Sequence, residues 1–269
     1  MTVDPAKLRR VLVVHGVQAG SDADLHQDWL IDALIRSRLG GAPLSFGAEL
    51  YRYENINDRA QRRLRLLMRL FLTNIIAQTV VDLTADLVLD VLIALKDGST
   101  ARTIRQGLVD RILEIYRDGH PLYLVAHSLG TIYAFDAVNQ LIGTEGLFDR
   151  NDRRTWPVFG LVTFGSPIGL RLFNRTRVKS LGRDGRAFPR TFPWLNYWDR
   201  TDPVVSGSFY GKPRTDYRIV ERFGSKTSGW EIKDRVIDTG KVWLEAHCGY
   251  WTHPGLGDDL ASVLATGSA

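Results

Sequence analysis

The sequence predicts an α/β fold: a predominantly parallel sheet of about six strands with helices on both faces. Short apolar runs alternate with segments of helical periodicity, which implies βαβ units. Right-handed crossovers place helices on both faces of such a sheet. The length, 269 residues, suits one sizeable core, with 44% hydrophobic and 24% charged residues, ordinary for a globular chain.

The elements follow in order. "VLVV" (11–14) reads as a buried strand. "HQDWLIDALIRSRL" (26–39) carries Trp29, Leu30, Ala33, Leu34 and Leu39 near helical spacing. "AELYRY" (48–53) is a second strand. In 100–119, Ile104, Leu108, Ile112 and Ile115 share a helix face, and Gly119 lies past its end. "PLYLVA" (121–126) is a strand and "GTIYAFDAVNQLI" (130–142) a helix. "VFGLVTFG" (158–165), "FPWLNYWD" (192–199) and "KDRVIDT" (233–239) complete the strands.

One connection is too long for a single crossover. Residues 57–97 read as a helical insertion in an otherwise single domain spanning 1–269. Asp82, Asp86 and Asp90 fall four apart on one helix face, beside Leu83, Leu87 and Val91. Scaffold over the sheet edge and a lid or membrane-facing cap both account for it. Its apolar stretch 70–81 has twelve residues, and a span needs about twenty.

The net charge is +5, and Arg59, Arg62, Arg63, Arg65 and Arg69 crowd one segment. That cluster is either a solvated face or a peripheral contact for anionic membrane through 59–69. A lone cysteine, Cys248, forms no internal disulfide, and the N-terminus lacks a signal-peptide pattern, so the expected place is cytoplasmic or peripheral to a membrane. No Cys cluster, H-E-x-x-H, phosphate loop or G-x-G-x-x-G turn is present. The expectation is no metal, no cofactor and no nucleic acid.

In parallel sheets the ligand crevice lies beyond the carboxyl ends of the strands. There the sequence sets "HGVQAG" (15–20), "HSLG" (127–130), "GSPIG" (165–169), "DRTDPVV" (199–205) and, past the last strand, "EAHCGYWTHPG" (245–255). Ser, Asp and His thus follow different strands in that order. Nucleophilic hydrolysis needs a hydroxyl, an imidazole to take its proton and a carboxylate to hold the imidazole. Ser128 is the candidate nucleophile, Asp199 and Asp202 the candidate acids, and His247 and His253 the candidate bases.

"AHSLG" resembles the G-x-S-x-G nucleophile elbow of α/β-hydrolases, with Ala126 at the first glycine. "VLVVHG" is similar to the His-Gly segment of lipases and esterases of that fold, "LVTFGSPIG" to their T-F-G-S-P turn, "WDRTDPVV" to their acid turn and "HCGYW" to their H-x-x-Y-W loop. The resemblance covers about 11–255. It implies a serine esterase, lipase-like, with a catalytic triad of Ser128, Asp202 and His247; Asp199 and His253 are the runners-up. It also implies an oxyanion hole from the backbone N–H groups of Leu129 and Val17, with Gln18 the rival of Val17. The implied substrate is a small-molecule or lipid ester of acyl type. A thioesterase or acyltransferase on the same triad, and a non-catalytic lipid- or partner-binding protein of this fold, are the alternatives.

Overall fold

The computed structural model describes residues 2–16, 26–40, 44–53, 99–142, 153–169, 192–206, 230–241 and 243–266. The insertion 57–97, the basic cluster 59–69, Val17 and Gln18 lie outside the described residues.

Six strands form one parallel sheet: β1 (Arg9–Val14), β2 (Phe46–Tyr51), β3 (Leu122–His127), β4 (Val158–Phe164), β5 (Phe192–Asp199) and β6 (Trp230–Ile237). Their order across the sheet is β2-β1-β3-β4-β5-β6. The chain runs from β1 outward to β2, then crosses back to β3 on the other side of β1. The fold is thus the α/β arrangement expected, with the reversal of direction falling between β1 and β3. At such a switch point the crevice opens beyond the strand ends.

Both faces are covered, which is why the strands read as continuous apolar runs. Successive residues alternate between two cores. Leu12, Val14, Leu122, Leu124 and Ala126 face α2 (Ser99–Arg117) and α3 (Gly130–Ile142). Val11, Val13, Tyr123 and Val125 face α1 (Gln27–Arg38) and α6 (Pro254–Thr266), the last described helix. In α2 the four apolar residues read from the sequence, Ile104, Leu108, Ile112 and Ile115, are all buried. Of the stripe expected around α1, Leu30, Leu34 and Leu39 pack partly buried against the core, and Ala33 is exposed. Ile31 and Ile35 are buried, whereas Trp29 is 67% exposed and stacks on His26 instead. At the sheet edge, Glu49 of β2 takes Nε and Nη2 of Arg111 at 2.7 Å each and also pairs with Arg10, tying β1, β2 and α2 together.

Two further helices follow β5 and β6: the short α4 (Pro203–Ser206) and α5 (Trp243–Gly249). The sequence reading assigned neither α5 nor α6. Among the described residues no helix is long and apolar enough to cross a membrane.

Candidate active site

β3 ends on His127, and the chain turns at once into α3. Ser128 sits at that corner with φ +54°, the one non-glycine residue at positive φ among the described residues. That conformation costs a side-chain-bearing residue about 1–3 kcal/mol and persists only where its surroundings impose it. Here they do. Ser128 N–H donates to Phe164 O at 3.1 Å, and Ser128 O accepts from Thr131 N at 3.0 Å and Thr131 Oγ1 at 2.6 Å. Thr131 in turn meets Ser166 Oγ at 2.7 Å, and Ser166 Oγ accepts the N–H of Ile168 at 3.3 Å. The turn after β4 therefore braces the turn after β3, and Ser166 is spent on that structural role.

Small residues permit the close approach. A Cβ at Gly130 would collide with the carbonyl oxygens of Val14 and His15, so α3 starts directly against the end of β1. A Cβ at Gly16 would lie 2.5 Å from Ser128 Cβ. The end of β1 is thus pressed against the serine, and residue 17 is the next in the chain. Tyr53 holds that end in place: its ring stacks on His15 at 4.2 Å, and its hydroxyl lies 2.7 Å from His15 O and 2.8 Å from Gly16 O. Leu129 follows the serine and is buried.

The two aspartates after β5 have different partners. Asp202 is fully buried and accepts three hydrogen bonds: Val204 N–H at 2.9 Å on Oδ1, and His247 Nδ1–H at 2.9 Å and the Tyr250 hydroxyl at 2.8 Å on Oδ2. Asp199 instead accepts Thr201 N–H and Oγ1–H on Oδ1 and Thr239 N–H and Oγ1–H on Oδ2, all at 2.7–2.8 Å. Burial alone would raise its carboxyl, but these four donors outweigh it and hold the group below its ordinary value. Asp199 closes the turns after β5 and β6 and touches no histidine among its hydrogen-bond partners.

His247 lies in α5 and is buried. Its Nδ1 donates to the carboxylate, and in the neutral imidazole that tautomer leaves Nε2 as the accepting nitrogen. The ring lies over Gly165, where a Cβ would stand 2.9 Å from it and where φ is +56°. It also lies 4.6 Å from the ring of His127, the residue before Ser128. His127 Nε2–H donates to His247 O at 2.8 Å, pinning the backbone of α5 to the end of β3. Burial, then the neighbouring His247, holds His127 well below the usual histidine range, so it stays neutral. His253 is placed otherwise: its Nδ1 accepts the N–H of Gly255 at 3.2 Å, capping the start of α6.

Asp202, after β5, and His247, in α5, are thus brought into direct contact, and His247 is tied through its backbone oxygen to His127, the neighbour of Ser128 at the end of β3. Sequence reasoning left unassigned what Tyr250 and Tyr53 do. The signal for Tyr250 was its place three residues after His247 in "HCGYW".

In comparisons with family models and with curated proteins, nothing matches this chain. Solved structures do show distant likeness. A cutinase-like protein from Cryptococcus sp. is 15% identical, covering 100% of both chains, with a TM-score of 0.40. An alpha-beta serine hydrolase homologue from Coxiella burnetii is 10% identical over 100% of this chain and 88% of that one, with a TM-score of 0.40. A soluble variant of monoglyceride lipase from Saccharomyces cerevisiae is 10% identical over 100% of this chain and 90% of that one, with a TM-score of 0.42. Such distant likeness carries no argument, and the fold rests on the sheet itself.

Proposed function

We propose that the chain is a serine hydrolase cleaving carboxylic esters of acyl or lipid type through an acyl-enzyme. The observation that supports this is the buried His247–Asp202 pair at 2.9 Å, whose imidazole lies 4.6 Å from the ring of His127, the residue before a serine held at positive φ. A serine helix cap needs neither feature.

In the proposed reaction, His247 Nε2 takes the Ser128 proton as Oγ bonds to the ester carbonyl carbon. The carbonyl oxygen becomes an oxyanion, which the backbone N–H of Leu129 and that of Val17 or Gln18 would hold; losing one such donor typically costs about 3 kcal/mol. The tetrahedral intermediate collapses, the C–O bond to the alcohol breaks, and the imidazolium protonates the departing oxygen. Water then attacks the acyl carbon, gives its proton to Nε2, and Ser128 leaves with that proton as the acid is released. Asp202 keeps the Nδ1 tautomer and stabilises the imidazolium throughout.

A fluorophosphonate probe tests the reading. The native chain should be labelled, and Ser128→Ala should lose both labelling and hydrolysis of p-nitrophenyl esters. A native chain that takes no label and turns over no ester of any chain length would leave the non-catalytic binder as the better account.

A further inference from the structure

We infer that the Tyr250 hydroxyl is a positioning group that sets how strongly Asp202 holds the His247 imidazole. The inference builds on the proposed role of His247 as base, but its physical content is the hydrogen-bond balance at one oxygen. Asp202 Oδ2 accepts both His247 Nδ1–H, at 2.9 Å, and the Tyr250 O–H, at 2.8 Å. The same phenol oxygen accepts the backbone N–H of Asp199 at 2.8 Å. A hydroxyl that accepts on one side donates more strongly on the other.

Tyr250 is 0% exposed and is held to this task. Burial, then the charge of Asp202, pushes its phenol well above the ordinary range, which favours the protonated, donating form. Each hydrogen bond donated to a carboxylate spreads its charge and makes it less basic. The phenol therefore weakens the hold of Asp202 on a charged imidazole, while still fixing the carboxylate in place. Among the described residues, the other charged or titratable groups around His247 are His127 on β3, whose ring lies 4.6 Å away, His15 beyond it at the end of β1, and Asp199 on the far side of the phenol. His127 is neutral, and the Asp199 carboxylate is occupied by its threonines. Tyr250 is then the group on Asp202 that can be altered without removing the acid or the base.

Two substitutions push in opposite directions. Tyr250→Phe removes the donor, and 3-fluorotyrosine at position 250 strengthens it. The His247 imidazole is titrated by proton–nitrogen NMR in the full-length chain, a readout that needs no turnover. The titration midpoint should rise by about 0.5–1 pH unit in Tyr250→Phe and fall in the fluorotyrosine protein. A merely structural phenol would leave both midpoints where they are in the native chain, and that result overturns the inference. If Tyr250→Phe does not fold, the fluorotyrosine protein decides alone: a lowered midpoint supports the inference and an unmoved one overturns it. Failure of the hydrolase reading appears separately, in fluorophosphonate labelling of the native chain.

Discussion

Asp199 and Asp202 stand three residues apart in one turn, yet their oxygens hold different things. Asp199 gathers the threonines after β5 and β6, and Asp202 meets the imidazole. Their removal should separate cleanly. Asp202→Asn is expected to leave the fold intact and lower kcat by about 10³–10⁴-fold, because an amide does not enforce the Nδ1–H tautomer. Asp199→Ala is expected to cost about 1–3 kcal/mol of stability, since it strips the acceptor from part-buried donors. It keeps the backbone N–H that meets Tyr250, so the surviving folded protein should retain most of its kcat. Urea unfolding and ester kinetics on both variants check this; equal losses of kcat would refute the division. At this scale the sequence offered residue types and their order, and "WDRTDPVV" named both acids. The phenol of Tyr250 was not legible, because an aromatic residue near a histidine reads equally well as packing. Its partner Asp202 lies 48 residues earlier in the chain.

The elbow between β3 and α3 is an element-scale device: a strained corner, a braced carbonyl and a helix start pressed on the neighbouring strand. Gly130→Ala should destabilise the fold by about 3 kcal/mol, because the added carbon meets backbone oxygens rather than movable side chains. Gly47→Ala on β2 is the control; its added carbon meets Leu8 at an ordinary 3.6 Å, and the change should be neutral or slightly stabilising. Thermal unfolding of the pair tests the contrast. The strands and α2 and α3 were legible from alternation and period. The helix Pro254–Thr266 was not assigned, although Pro254 occupies the first helical position that proline favours. In the α1 stripe Leu30, Leu34 and Leu39 do face the core, whereas Trp29, which weighs heavily in a periodicity reading, stacks on a polar neighbour at the surface.

At the scale of the whole molecule, one sheet separates two cores; β1, β3 and β4 are buried along most of their length, whereas β6 carries Lys233, Asp234 and Arg235. Strand order is set by packing between segments distant in sequence: β1 lies near the middle and β2, the next strand in the chain, at the edge. Stability as a function of pH is a property of the whole molecule, and its acid side is set by groups buried between elements. His127 is held neutral in the fold, whereas an unfolded histidine gains its proton near pH ~6.5. Its contribution is present above that value and is lost as pH falls below it, with a slope of up to about 1.4 kcal/mol per pH unit. Asp199, held below its ordinary value, adds a second loss as pH falls below ~3.9. Denaturant titrations from pH 8 to 4 should show the first decline in the native chain and a shallower one in His127→Asn; identical slopes would count against it. The left-handed corner at Ser128 has a last consequence. A chain selected for sturdiness alone would carry glycine there, which enters that conformation freely. To keep an alcohol at the corner is to accept a standing deficit of folding energy, which is the cost the proposed nucleophile would carry.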